Sequence, residues 1–148
     1  MFFYKEPEEF TPSMHVVICY CIYNNETLFL RRKENKFQGC LWTAPGGKVE
    51  YNELLDDAIK REVDEETGMD IPKENFIQNG TYYIRHPHID FMIYIYKTFL
   101  KEKPKQITLS NNEHDKYMWV TPKSALNLEL IPEGDQCLFA TFSDISLK

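Results

Sequence analysis

Runs of Val, Ile, Cys, Tyr and Phe, broken once by a long amphipathic segment, predict an α/β protein: a mixed β-sheet flanked by helices. Three observations carry that prediction. Met14 to Tyr23 is an apolar run of strand length, rich in Val, Ile and Tyr, and comparable runs recur at 76–85 and 91–100. Between them, Leu55, Ala58, Ile59 and Val63 recur at helical spacing among charged neighbours. The 148 residues suffice for one core, and an apolar fraction of 43% with 14% aromatics marks a chain that folds. One domain over residues 1–148 is expected.

The elements follow in order. Met14 to Tyr23 reads as a buried strand, Asn24-Asn25-Glu26 as a turn, and Thr27 to Arg32 as the returning strand. Lys33 to Gly39 is a polar loop, after which Leu41 and Trp42 re-enter the core ahead of Pro45-Gly46-Gly47. A helix is expected from Asn52 or Glu53 to Thr67. Asn52 suits the N-cap, acidic Glu53, Asp56 and Asp57 suit the positive end of the helix dipole, and Gly68 suits the C′ position. Pro72 keeps the helix from continuing. Phe76 to Arg85 and Phe91 to Leu100 are strands joined through His86-Pro87-His88-Ile89-Asp90, and Lys101 to Gln106 is a lysine-bearing loop. Lys116 to Val120 forms a short strand. Thr121-Pro122 then opens a short helix through about Asn127, and Asp135 to Phe142 forms a last one.

Charge and cysteine content narrow the function classes. A net charge of −6 disfavours a stable nucleic-acid partner, which calls for a basic face. It leaves room for a small phosphorylated substrate, because a bound divalent cation reverses the local sign. Cys19, Cys21, Cys40 and Cys137 read as reduced core cysteines, with no second close pair to complete a four-thiolate zinc site. The opening Met1 to Pro7 is too short an apolar run for a signal peptide, and no run reaches the ~18 residues of a membrane span. A soluble, cytoplasmic protein is the expectation.

The densest chemistry lies at Gly47-(five residues)-Glu53-(seven residues)-Arg61-Glu62-Val63-Asp64-Glu65-Glu66-Thr67-Gly68-Met69. Residues three and four apart neighbour one another on a helix, so Glu62, Glu65 and Glu66 share one face. Magnesium takes oxygen ligands, commonly one or two carboxylates with substrate phosphate oxygens completing the shell. Such a face is half of a metal–phosphate site; it is also what a plain solvated acidic face looks like.

The segment resembles the Nudix box at every fixed position, and the flanking Pro45-Gly46 and Lys48-Val49-Glu50 resemble the family too. The resemblance implies a Nudix-type α/β/α sandwich with a mixed β-sheet. It also implies hydrolysis of a nucleoside diphosphate linked to another group, with Mg2+ as cofactor and Mn2+ as a substitute. Glu62, Glu65 and Glu66 are the implied metal ligands, with the carbonyl of Gly46 or Gly47 as a further oxygen. Glycine there lets the backbone approach an ion without a Cβ in the way. Glu62 is implied as ligand, general base or both. Arg61 is expected to orient carboxylates, Glu65 one turn on or Glu53 two turns back. Glu113, six residues before Trp119, resembles the extra acidic ligand or base of MutT-type members, and its loop also reads as ordinary polar surface.

Beyond the box the candidates are weaker. Arg32 is a phosphate or base contact whose alternative is a surface ion pair, as for Arg31; Lys48 and Trp119 are further substrate-binding candidates. Tyr82, Tyr83, Phe91 and Tyr94 offer base-stacking platforms or plain core. His86, His88 and His114 read as loop histidines or substrate contacts. The proline that ADP-ribose-type members carry 16 residues after the box is absent, with Arg85 in its place, and the downstream tyrosine of dinucleoside-polyphosphate members is missing. By elimination the chain looks closest to MutT-type (deoxy)nucleoside triphosphate pyrophosphatases. A nucleotide-sugar or dinucleoside-polyphosphate hydrolase and a silent nucleotide-sensing domain remain alternatives. The expected partner is a small nucleotide, without a membrane; a homodimer is compatible.

Overall fold

Separating strand edges define the architecture in the computed structural model, which describes residues 1–145. Among these residues, β1 (Phe2–Phe3), β2 (Pro12–Tyr23), β3 (Glu26–Arg32), β4 (Trp42–Thr43), β5 (Gly46–Lys48), β6 (Ile77–His86), β7 (Ile89–Phe99) and β8 (His114–Val120) form one sheet. The helices are α1 (Leu55–Thr67), α2 (Pro122–Ala125) and α3 (Gly134–Thr141). β2 and β7 run parallel while the other pairings are antiparallel, so the sheet is mixed as expected. The expected domain extends to residue 148, three residues beyond those described. None of the described helices is long and apolar enough to cross a membrane.

Alternation along β2 sorts the core into two layers. Val17, Cys19 and Cys21 point to the face where Leu28 and Leu30 meet Ala58, Ile59 and Val63 of α1. Ile18 and Tyr20 point to the other face, against Ala125 of α2 and Cys137 and Leu138 of α3. Full burial of Ile59 and Val63 contributes about 1.5–3 kcal/mol each to docking α1. Helices on both faces give the α/β/α sandwich. All four cysteines are free, three of them buried.

The site depends on a fork. β2 and β3 pair only beside their hairpin, at Ile22↔Thr27 and Tyr23↔Glu26. Asn24 and Asn25 both take positive φ there, 51° and 68°, which suits a tight two-residue hairpin. Beyond it the strands diverge, and residues 42–48 line the two separating edges. β4 pairs with β3 through Leu30↔Thr43 and Arg31↔Trp42, and β5 pairs with β2 through Ile18↔Gly46, Val17↔Gly47 and Val16↔Lys48. Cys19 donates its N–H to the Pro45 carbonyl at 2.9 Å, seating the crossing segment in the fork.

Several boundaries differ from expectation for physical reasons. α1 begins at Leu55 without a side-chain N-cap, and Asn52 instead takes φ 62° in a turn. There Glu53 N–H donates to the Glu50 carbonyl at 3.0 Å and its carboxylate accepts from Glu50 N–H at 2.9 Å, so the predicted cap is spent on a turn. β6 and β7 close tightly at His86↔Ile89 around Pro87 and His88, shortening the expected five-residue connection. An Arg85–Asp90 ion pair at 2.9 Å clasps the two strands. α2 stops at Ala125, though Thr121 caps it through Ser124 N–H as expected.

Candidate functional site

Gly68 ends α1 in the left-handed conformation, φ 75°, with its N–H on the Asp64 carbonyl. That fixes the helix register, and the box carboxylates separate. Ile59, Val63 and Glu66 follow one another at spacings of four and three, so Glu66 lies within the buried stripe, 4% exposed, and not at its edge. Glu62 stands one turn before it with its side chain 12% exposed, while Glu65 points outward at 59%. The helix therefore sends Glu62 and Glu66 toward the fork and leaves Glu65 on the rim.

The fork meets them with backbone. Gly46 N–H donates to Glu66 Oε1 at 2.8 Å. A Cβ on Gly47 would stand 2.6 Å from the Glu62 carboxylate, and one on Gly46 would stand 2.1 Å from the Val17 carbonyl oxygen. Both positions need the close approach that glycine allows. Arg61 then ties the assembly. Its Nε and Nη2 donate to Glu53 at 2.8 and 2.9 Å, Nη1 donates to Glu62 at 2.9 Å, and Nη2 donates to the Lys48 carbonyl at 3.1 Å. Glu65 lies 3.5 Å from Nη1. Arg61 thus reaches both Glu53 and Glu65, with the shorter, two-pronged contact to Glu53.

The carboxylates facing the fork are shifted upward, and the one clasped by Arg61 is shifted downward. Burial, then Glu62 and Glu113 nearby, push the Glu66 carboxyl well above the usual carboxylate range, against the help of Gly46 N–H. Burial raises Glu62 as well, opposed by Arg61. Glu53 is held low by Arg61, which is itself pushed up chiefly by Glu53. Glu62 and Glu66, buried and of like sign with Arg61 reaching Glu62 and not Glu66, form a place where a divalent cation is electrostatically favoured.

A third strand closes the group. β8 pairs with β3 residue for residue from Thr27↔Val120 to Arg31↔Lys116, then slips at a bulge so that His114 faces Arg32. Asp115 is the extra residue; it accepts from Arg31 Nε and Nη2 at 2.9 and 2.7 Å on the opposite face. The bulge turns His114 toward α1. One ligand atom each from Glu66, Glu113 and His114 lies within 4.8 Å of the others. His114 is no solvated loop residue: it is 2% exposed, and burial lowers its pKa.

The remaining candidates are distributed more widely. Arg32 lies on the site face, with Nε donating to the Phe37 carbonyl at 2.8 Å, and Arg31 is the surface ion pair. Lys48 engages the site through its carbonyl. Trp119 packs against the α1-side core, with Lys103 Nζ 5.4 Å from its ring centre. Tyr82 and Phe91 belong to the opposite core layer, whereas Tyr94 faces α1 and hydrogen-bonds His15 Nδ1 at 2.9 Å. His15 has no signal in sequence beyond its alternation with Val17. His86 is bound to Glu133 at 2.6 Å, and His88 sits in the β6–β7 turn, so neither joins the carboxylates.

The match to known families is extensive: a model described as the NUDIX domain covers residues 12–142. The chain belongs to the Nudix family. Among curated relatives, an ADP-ribose pyrophosphatase of Methanocaldococcus jannaschii is 48% identical over 50 residues, 34% of this chain and 28% of that protein. An 8-oxo-dGTP diphosphatase of Buchnera aphidicola is 32% identical over 79 residues, 53% of this chain and 61% of that protein. The aligned part thus spans less than two thirds of either relative. Among solved structures, the MutT protein of Methanosarcina mazei Go1 matches with TM-score 0.74 and 27% identity, covering 93% of this chain and 98% of that one. Nudix proteins act with divalent metal, and the buried carboxylates, the glycine approach and the oxygen-rich donor set fit such an ion.

Proposed function

We propose that this Nudix protein is a cytoplasmic Mg2+-dependent hydrolase of nucleoside diphosphate-linked substrates, and most specifically a MutT-like (deoxy)nucleoside triphosphate pyrophosphatase. The observation that carries the reading is Glu66. A carboxylate buried to 4% exposure, with one oxygen held by Gly46 N–H and Glu62 and Glu113 nearby, is stabilised best by a cation. Glu62, Glu66 and Glu113 are the proposed inner ligands, with the Gly47 carbonyl beside them and Glu65 contributing from the rim. When bound there, a divalent cation supplies charge neutralisation to the diphosphate oxygens.

The chain's own groups do the rest. Water attacks one phosphorus, the bridging anhydride P–O bond breaks, and a triphosphate substrate yields a monophosphate and pyrophosphate. Glu62 is the proposed acceptor of the proton from the attacking water, its carboxylate standing against the Gly47 backbone and held by Arg61. Arg61 fixes that carboxylate's direction from Glu53 and the Lys48 carbonyl. Arg32, Lys48 and the Tyr94 side of the sheet supply cationic and aromatic contacts for phosphate and base.

Assay of a nucleotide panel with Mg2+, with product identification, tests the reading. Glu66→Gln is expected to lower turnover at least ~100-fold, about 2.7 kcal/mol of barrier. Wild-type turnover in that variant would overturn the metal role. Similarity to an ADP-ribose pyrophosphatase favours a second reading, hydrolysis of a nucleotide sugar to a sugar phosphate and a monophosphate. The products separate the two.

A further inference from the structure

His114 carries two unexplained atoms. Its ring is buried beside the Glu66 carboxylate, and neither Nδ1 nor Nε2 has a hydrogen-bond partner among the described residues. A neutral imidazole offers one donor and one acceptor, and burial of both without partners costs stability. Packing gives the ring no reason to be polar, since a phenyl or isobutyl group would fill a comparable volume without that cost.

The surroundings supply the reason. A ring nitrogen shares a volume 4.8 Å across with a carboxylate oxygen of Glu66 and one of Glu113. Neither carboxylate is hydrogen-bonded to the ring, so the imidazole converges on both without bonding either. Three ligands of one ion with bonds of about 2.1 Å stand about 3.0–3.6 Å from one another, so closing the group by about an ångström, chiefly at the exposed Glu113 side chain, would seat a cation. The backbone is built for this convergence. The bulge opposite Arg31 and Arg32 turns His114 inward and sends Asp115 to the opposite face.

We propose that His114 is a nitrogen ligand of the divalent cation, completing with Glu66 and Glu113 a mixed nitrogen–oxygen donor set. Imidazole binds Mn2+, Co2+ and Zn2+ in preference to Mg2+, which favours oxygen and gives up water reluctantly. The site therefore discriminates toward transition ions more strongly than an all-carboxylate site. This rests on the reading of Glu66 as a cation ligand given above.

The test uses untagged full-length protein and metal ions alone. Pulsed electron paramagnetic resonance of the Mn2+-loaded protein is expected to show a directly bound 14N coupling. The coupling changes when 15N-histidine is incorporated and vanishes in His114→Gln. Calorimetric titration of that variant is expected to show at least ~10-fold weaker binding of Mn2+ and Co2+, with Mg2+ affinity altered less than about threefold. Absence of the nitrogen coupling in wild type, its persistence in His114→Gln, or an equal loss for Mg2+ and Mn2+ overturns the assignment. If His114→Gln does not fold, the isotope-labelled wild-type spectrum decides alone. Glu66→Gln separates the two levels: Mn2+ binding unaffected by that change sinks the cleft reading, whereas binding that needs Glu66 but lacks nitrogen coupling sinks only the role of His114.

Discussion

Gly46 and Gly47 are neighbours with different duties. A methyl on Gly46 would meet backbone, the Val17 carbonyl oxygen at 2.1 Å and Ile18 Cα at 2.7 Å, and nothing there can yield cheaply. The atoms nearest a methyl on Gly47 are all of the Glu62 carboxylate, the far end of a flexible side chain. Gly47→Ala is therefore expected to leave the melting temperature within about 3 °C while displacing Glu62 and lowering turnover ~10-fold or more. Gly46→Ala is expected to destabilise the fold itself. Thermal melts and steady-state assays of both variants check the pair. A Gly47→Ala enzyme with full activity would mean that Glu62 need not stand where it does.

At the scale of the element, α1 is positioned as much by Arg61 as by its apolar stripe. The guanidinium spans from Glu53 before the helix to Glu62 on it and to the Lys48 carbonyl on β5. Lysine cannot reproduce that fork with a single ammonium. Arg61→Lys is expected to keep the fold, because Ile59 and Val63 still dock, but to lower kcat about 10–100-fold with a smaller change in KM. An unchanged kcat would show that Glu62 holds its direction without the arginine. β8 makes the complementary point, since its bulge changes which side chains reach the cleft without changing a residue.

For the molecule as a whole, the fork places strain in the folded state that a cation relieves. Glu66 has a raised pKa when folded, so its contribution to stability is fully present below the unfolded value and is lost as pH rises through the folded one. At pH 8 the metal-free fold carries the cost of burying that charge. Glu66→Gln removes the charge and keeps an oxygen for Gly46 N–H. The metal-free variant is therefore expected to melt above wild type at pH 8, by about 2–4 °C per kcal/mol relieved, and the gap should narrow toward pH 5. Added divalent cation should raise the wild-type melting temperature and not the variant's. Melting curves across that pH range decide it; a variant that melts lower at pH 8 would place the ionised carboxylate among the stabilising groups.

Local spacing made much of this legible from residues alone. The alternation of Val17, Cys19 and Cys21 against Ile18 and Tyr20 marked a strand buried on both faces, and Leu55 to Val63 marked the helix that docks there. Resemblance to the family motif located the box, and the helical period put its glutamates on one face, since periods of 2.0 and 3.6 are properties of the backbone and need no partner. Partner-dependent features were not so readable. Strict alternation from Trp119 and Tyr117 would turn Asp115 toward α1 and His114 away, yet the slip against β3 reverses them. Helical spacing put three glutamates on one face without saying how deep each lies, yet docking of Ile59 and Val63 buried Glu66 and left Glu65 in water. Which polar group a helix or strand hides is set by the surface packed against it, and that surface comes from residues distant in the chain.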